Sequence, residues 1–194
     1  MITIVSGLPR SGTSLMMQML VAGGLTALSD GERRADTDNP KGYLEWERIK
    51  TLPKDPNCIA EAEGKVVKCI SQLLLSLPMT HDYRIIFMQR PLPEVLASQE
   101  EMLKRRGTHD PAVASSVIKQ AFQTHLYEVN TWLNGKPNLE MLRMPYHRVL
   151  EEPRAVSDEI AQFLKTPLNL DAMVAQVDQS LYRQRVRKPA PAQQ

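Results

Sequence analysis

The sequence predicts an α/β fold: a mainly parallel sheet flanked by helices in three layers. Three observations carry this reading. A short β-branched run at residues 2–5 passes through a glycine loop straight into an apolar, helix-favouring stretch at 14–22. A second strand-like run, RIIFMQ at 84–89, leads in the same way into a helical stretch at 91–104. Strand-like and helix-like segments then keep alternating, which is the signature of βα units.

The elements follow in order. Residues 2–5 read as a buried parallel strand, ended by Ser6-Gly7. The helix at 14–22 is stopped by Gly23-Gly24. Residues 29–42 are rich in Asp, Arg, Gly, Asn and Pro and read as a polar loop. Residues 43–52 read as a short helix ended by Pro53, and 53–58 as loop. KVVKCIS at 65–71 reads as a second strand, and Pro78 closes the Leu-rich segment after it. The prolines of the 91–104 helix fall in its first turn, where a missing N–H costs nothing. A long helix is expected from about 111 to 133, then a turn at Asn134-Gly135-Lys136-Pro137. A fourth strand is expected at 139–144, and helices at 153–164 and 170–177. The chain reads as one domain over residues 1–194, with a disordered tail from about Pro189.

Composition excludes several function classes. The net charge of +2 is too small to imply a nucleic-acid or membrane partner. No apolar run is long enough to span a bilayer, and the N-terminus lacks the pattern of a secretory leader, so a cytoplasmic protein is expected. Cys58 and Cys69 do not make a disulfide framework. His81, His109, His125 and His147 show no metal-ligand spacing, and no metal site is expected. Met16, Met17, Met19, Met88 and Met144 lie in apolar elements and read as core filling.

The chemistry begins in the loop GLPRSGTS, residues 7–14. A nucleoside-triphosphate P-loop reads G-x-x-x-x-G-K-[ST]. Here Thr13 stands at the lysine position and the cation, Arg10, comes three residues earlier. A strand-to-helix turn still offers converging backbone N–H groups and the positive end of the helix dipole. Gly7 and Gly12 permit the tight turn. Arg10 adds a planar, permanently charged fork, and Ser11, Thr13 and Ser14 add hydroxyls. Loss of the lysine argues against ATP or GTP hydrolysis, not against anion binding. Arg90 stands at the carboxyl end of a predicted parallel strand, the edge where open α/β sheets bind ligands. Ser98 follows about two turns into the next helix.

These motifs, LPRSGTS and Arg90 with Ser98 eight residues on, resemble those of the PAPS-dependent sulfotransferases, where PAPS is 3′-phosphoadenosine 5′-phosphosulfate. NPKGYLEWERIKTL and RMPYHRVLEEP resemble further stretches of bacterial members of that family. The matches spread from residue 2 to about 154. The resemblance implies a P-loop-like sulfotransferase fold that works without a metal. It implies that Arg10, Ser11, Gly12, Thr13 and Ser14 hold the 5′-phosphosulfate, that Arg90 and Ser98 hold the 3′-phosphate, and that Tyr146 lies near the adenine end. The implied reaction is sulfonate transfer to a hydroxyl or amine of a small-molecule or carrier-bound acceptor.

Catalytic roles are expected for Arg10, Lys68 and Glu45. The histidine that serves cytosolic relatives as general base has its counterpart position at Ile70, so a carboxylate is expected instead. Glu45, with a raised pKa, is the first candidate and Glu47 the second. Arg183, Arg185, Arg187 and Lys188 are candidates for a C-terminal clamp on the 3′-phosphate. The alternatives to a sulfotransferase are a P-loop small-molecule kinase and a non-catalytic nucleotide-binding protein.

Overall fold

A computed structural model describes residues 1–33, 36, 42–108 and 115–181 of the chain. Its strands are β1 (Ile2–Gly7), β2 (Val66–Lys68), β3 (Tyr83–Gln89) and β4 (Leu139–Pro145). They form one sheet in the order β2-β1-β3-β4, with every pair parallel. From β1 the chain moves outward to β2, and from β3 it moves the opposite way to β4. That reversal opens a crevice between the carboxyl ends of β1 and β3. Gly7 is level with Met88 in the sheet, so the loop after β1 and the segment after β3 emerge side by side.

Successive strand residues point to opposite faces, and both faces are covered. On one face Ile2, Ile4, Val67, Ile85 and Phe87 pack with Leu52, Ile59, Leu74 and Val129. On the other, Val5, Val66, Ile86, Met88 and Met144 pack with Met16, Met17, Leu20, Val149 and Ile160. All five methionines expected in the core are buried. Each such side chain stabilises the fold by about 1.5–3 kcal/mol relative to leaving it exposed.

The helices are α1 (Thr13–Ala22), α2 (Ser71–Leu74), α3 (Leu92–Arg105), α4 (Ser115–Leu133), α5 (Tyr146–Glu151), α6 (Pro153–Leu164) and α7 (Leu170–Val174). Most of the expected elements are found, and α6 has its expected bounds. Four differ. Residues 43–52 form only a 3-10 turn, Glu47–Thr51, and the expected loop at 53–58 begins a second 3-10 helix, Pro56–Ala62. The expected strand at 65–71 pairs with β1 only from Val66 to Lys68, with one further bond from the Cys69 N–H to the Val5 carbonyl at 3.0 Å; the chain turns into α2 at Ser71. The last helix ends at Val174 rather than 177. Helix α5 was not legible, since six residues are too few to show a helical period. The expected start of the long helix at 111 and the expected disordered tail lie outside the described residues. Among the described residues no helix is long and apolar enough to cross a membrane.

Candidate active site

The loop between β1 and α1 is shaped by three left-handed residues: Gly7 at φ 151°, Arg10 at φ 67° and Gly12 at φ 97°. Only glycine fits at residue 7, where a Cβ would stand 2.5 Å from Ser11 Oγ and 2.7 Å from the Met88 carbonyl oxygen. Gly12 caps α1. A Cβ there would meet the Tyr146 ring at 2.4 Å, so the ring lies directly on the loop backbone. Ser11 turns inward: its hydroxyl and its N–H both donate to the Leu8 carbonyl, at 2.7 and 3.2 Å. It braces the loop, whereas Thr13 and Ser14 line the open side. The first turn of α1 leaves its N–H groups without intrahelical partners, aimed at the same space.

Arg90 leaves the end of β3 beside this loop. It donates from Nη1 to the Arg10 carbonyl at 3.0 Å and from Nε to Glu94 at 3.0 Å, and its guanidinium lies 5.0 Å from the Tyr146 ring centroid. Glu94 is one turn into α3 and buried, as is the Arg90 side chain, so the pair is fixed in place before any ligand arrives. Ser98, one further turn along, accepts from Arg10 Nε at 3.0 Å. Arg10, Arg90, Ser98 and Tyr146 therefore converge, although they come from four separate parts of the chain.

The other end of the site is built around Glu45. Lys68 reaches it from β2, donating to Oε1 at 2.8 Å and to Ser14 Oγ at 3.1 Å. Arg33 Nη1 donates to both carboxylate oxygens, at 2.9 and 3.0 Å. The guanidinium of Arg33 is stacked 3.4 Å from the centre of the Tyr43 ring, and the Tyr43 hydroxyl donates to Asp36 at 2.7 Å. Leu44, just before Glu45, has φ 49°, a left-handed conformation that is costly for a branched side chain. Burial pushes the Glu45 carboxyl up, but the bonds and charges of Lys68 and Arg33 outweigh it and hold the group below the ordinary carboxylate value. The expectation of a raised pKa is therefore corrected: Glu45 is a carboxylate paired with both Lys68 and Arg33. Burial pulls the Lys68 ammonium down, and its bond to Glu45 restores only part of the loss.

Both ends open into one cavity of about 480 Å³, lined by Arg10, Gly12, Thr13, Ser14, Arg33, Glu45, Lys68, Ile70, Arg90, Ser98 and Tyr146 among others. Glu47 is not among the lining residues; its side chain pairs with Lys50 on the surface. Ile70 is exposed at the cavity wall. Cys69 also lines the wall, yet it is fully buried and burial pushes its thiol up to about 12. His81 lies beside Glu63 and His125 bonds Ser71, and neither lines the cavity; His147 is exposed. Among the described residues no cluster of His, Cys, Asp or Glu could hold a metal ion. His109 and the basic segment Arg183, Arg185, Arg187 and Lys188 lie outside the described residues. Sequence reasoning missed Arg33 and Glu94. Glu94 could have been found from its place one helical turn after Arg90; Arg33, inside a polar loop, carried no local signal.

Residues 2–190 match the sulfotransferase domain family. A search of the curated proteins finds no match. Among solved structures the chain resembles the sulfotransferase domain of the Synechococcus PCC 7002 olefin synthase (15% identity, TM-score 0.58, 94% of this chain and 78% of that one). It also resembles the sulfotransferase domain from the curacin biosynthetic pathway (14%, 0.52, 98% and 93%) and sulfotransferase STF9 from Mycobacterium avium (14%, 0.55, 90% and 66%). At such low identity these likenesses establish the fold, a parallel sheet flanked by helices in the P-loop-like arrangement of sulfotransferases. With the family match across nearly the whole sequence, they make the chain a member of the sulfotransferase domain family.

Proposed function

We propose that the protein transfers a sulfonate group from PAPS to a hydroxyl or amine of a small-molecule or carrier-bound acceptor. The observation that carries this reading is the single cavity with two chemically different ends. One end gathers the α1 N-terminus, Arg10, Arg90 and Ser98, a set suited to two phosphate groups. The other holds Lys68 and Glu45, a cation and a proton acceptor.

In this reading Arg10 and the N–H groups of Gly12, Thr13 and Ser14 hold the 5′-phosphosulfate, with Ser11 bracing the turn beneath them. Arg90 and Ser98 bind the 3′-phosphate, and the Tyr146 ring supports the adenosine. Acceptor oxygen or nitrogen attacks sulfur in line. Its bond to sulfur forms as the bond from sulfur to the bridging oxygen breaks, and adenosine 3′,5′-bisphosphate leaves. The transition state resembles that of phosphoryl transfer, so the protein contributes positioning and fixed positive charge. Arg10 and Lys68 stabilise the charge growing on the departing oxygen. Glu45 takes the acceptor proton.

Titration calorimetry in EDTA with adenosine 3′,5′-bisphosphate tests the donor site. Binding without metal is the expected result. Binding of Mg-ATP in its place would turn the assignment to a kinase. Bisphosphate binding with no transfer from radiolabelled PAPS to any member of an alcohol and amine panel would leave a nucleotide-binding protein without catalysis.

A further inference from the structure

Two cations share one carboxylate at the acceptor end, and they are not equivalent. Lys68 bonds Glu45 and also touches the donor loop through Ser14 Oγ. Arg33 grips both oxygens of Glu45 from the other side, backed by its stack on Tyr43. The stack is anchored in turn, because the Tyr43 hydroxyl bonds Asp36, which pairs with Arg106 at 3.5 Å. An ionised carboxylate has about four lone-pair positions. Lys68 and Arg33 occupy both on Oε1 and one on Oε2, which leaves Oε2 able to accept from an acceptor hydroxyl.

We propose that Arg33 is a positioning residue for the acceptor base, keeping Glu45 in place and ionised when the donor draws Lys68 away. This rests on the reading of PAPS as donor and Glu45 as base. Negative charge on the departing bridging oxygen attracts Lys68, which already stands at the loop that would bind it. Glu45 is only 19% exposed. Stripped of every counter-charge there, it would take up a proton from solvent. A protonated carboxyl cannot take a second proton from the acceptor, so the reaction would stall. Arg33 is the reserve counter-charge. With it in place, the acceptor proton passes to Oε2 as the new bond to sulfur forms. Arg10 acts on Lys68 from the loop and Asp36 lies beyond Tyr43, while Arg90, Glu101, Arg105, Arg106 and Asp178 line the same cavity.

The test is a carbon-13 NMR titration of the Glu45 carboxyl, assigned by its loss in Glu45→Gln, in the complex with adenosine 3′,5′-bisphosphate. In wild type the midpoint should stay within or below the ordinary carboxylate range. Arg33→Met should raise it clearly, and Arg33→Lys should return it most of the way; Arg33→Gln replaces Met if that variant does not fold. Calorimetry should show that every variant still binds the bisphosphate. An unmoved midpoint in Arg33→Met, or an equal rise in Arg33→Lys, overturns the role of Arg33 alone. Failure of wild type to bind the bisphosphate overturns the donor reading, and this inference with it.

Discussion

Arg90 holds its guanidinium against the main chain of Arg10, donating to that carbonyl oxygen at 3.0 Å. The bond ties the carboxyl end of β3 to the loop after β1. The buried carboxylate of Glu94 fixes the same side chain from behind. This end of the cavity is thus preassembled by contacts within the protein, and disturbing one member disturbs the others.

Arg90→Ala should weaken binding of adenosine 3′,5′-bisphosphate by about 2–5 kcal/mol, the usual cost of truncating one partner of a buried charged contact. An analogue lacking the 3′-phosphate should be affected little. Because the Arg90–Glu94 ion pair is buried, folding stability should also fall by about 3–5 kcal/mol. Calorimetry with both ligands, with Glu94→Gln as companion, separates the two effects. Equal losses for the two ligands would remove Arg90 from the 3′-phosphate site.

Gly12→Ala should damage the loop twice over. The added Cβ meets the Tyr146 ring at 2.4 Å, and φ 97° strains any side chain. A stability loss of about 1–3 kcal/mol is expected in urea unfolding. Tyr146→Ala in the same chain should recover the part due to the clash and not the part due to φ. A fully stable Gly12→Ala with unchanged bisphosphate affinity would contradict this account of the loop.

Glu45→Gln should cut turnover by about 10²–10⁴-fold and leave bisphosphate affinity intact. Turnover is read with radiolabelled PAPS and 2-naphthol as probe acceptor. The same residue makes a prediction about stability. Its pKa is lowered in the folded state, so its contribution is complete above the ordinary carboxylate value and is lost as pH falls through the folded value. Thermal melts of wild type should therefore drop more steeply on acidification than those of Glu45→Gln. Parallel curves would show that Lys68 and Arg33 do not hold the carboxylate as described.

Iodoacetamide at about pH 8 should leave turnover unchanged, because only the thiolate reacts readily. Cys69 stands at the cavity wall, but it is fully buried and its thiol is pushed up to about 12. Rapid inactivation that bound bisphosphate prevents would show that the wall opens in solution.

The loop half of the site was legible because its parts are local. A strand, a glycine loop and a helix start are consecutive in sequence, so spacing alone announces an anion-binding turn. Arg90 and Ser98 were legible for the same reason, as a strand end and a position on the next helix. Ser11 shows the limit of such reading. Its residue type suits a ligand contact, yet its hydroxyl turns back to Leu8, and only the loop's closure decides that. On the acceptor side, Glu45 and Lys68 were picked out singly, while their joint state was hidden.

The sequence by itself determined the alternation of strands and helices, the carboxyl-edge loop and the places of Arg90 and Ser98 beside it. These depend on periodicity and on neighbours a few positions apart. Tertiary structure decided the strand order that opens the crevice, the seat of Tyr146 on Gly12, and the Lys68–Glu45–Arg33 cluster. Lys68 is 23 residues from Glu45, and Arg33 lies 12 residues before it. Whether a carboxylate becomes a raised-pKa acid or a paired base is set by the charges folded against it. That is a property of distances through space, which sequence spacing does not encode.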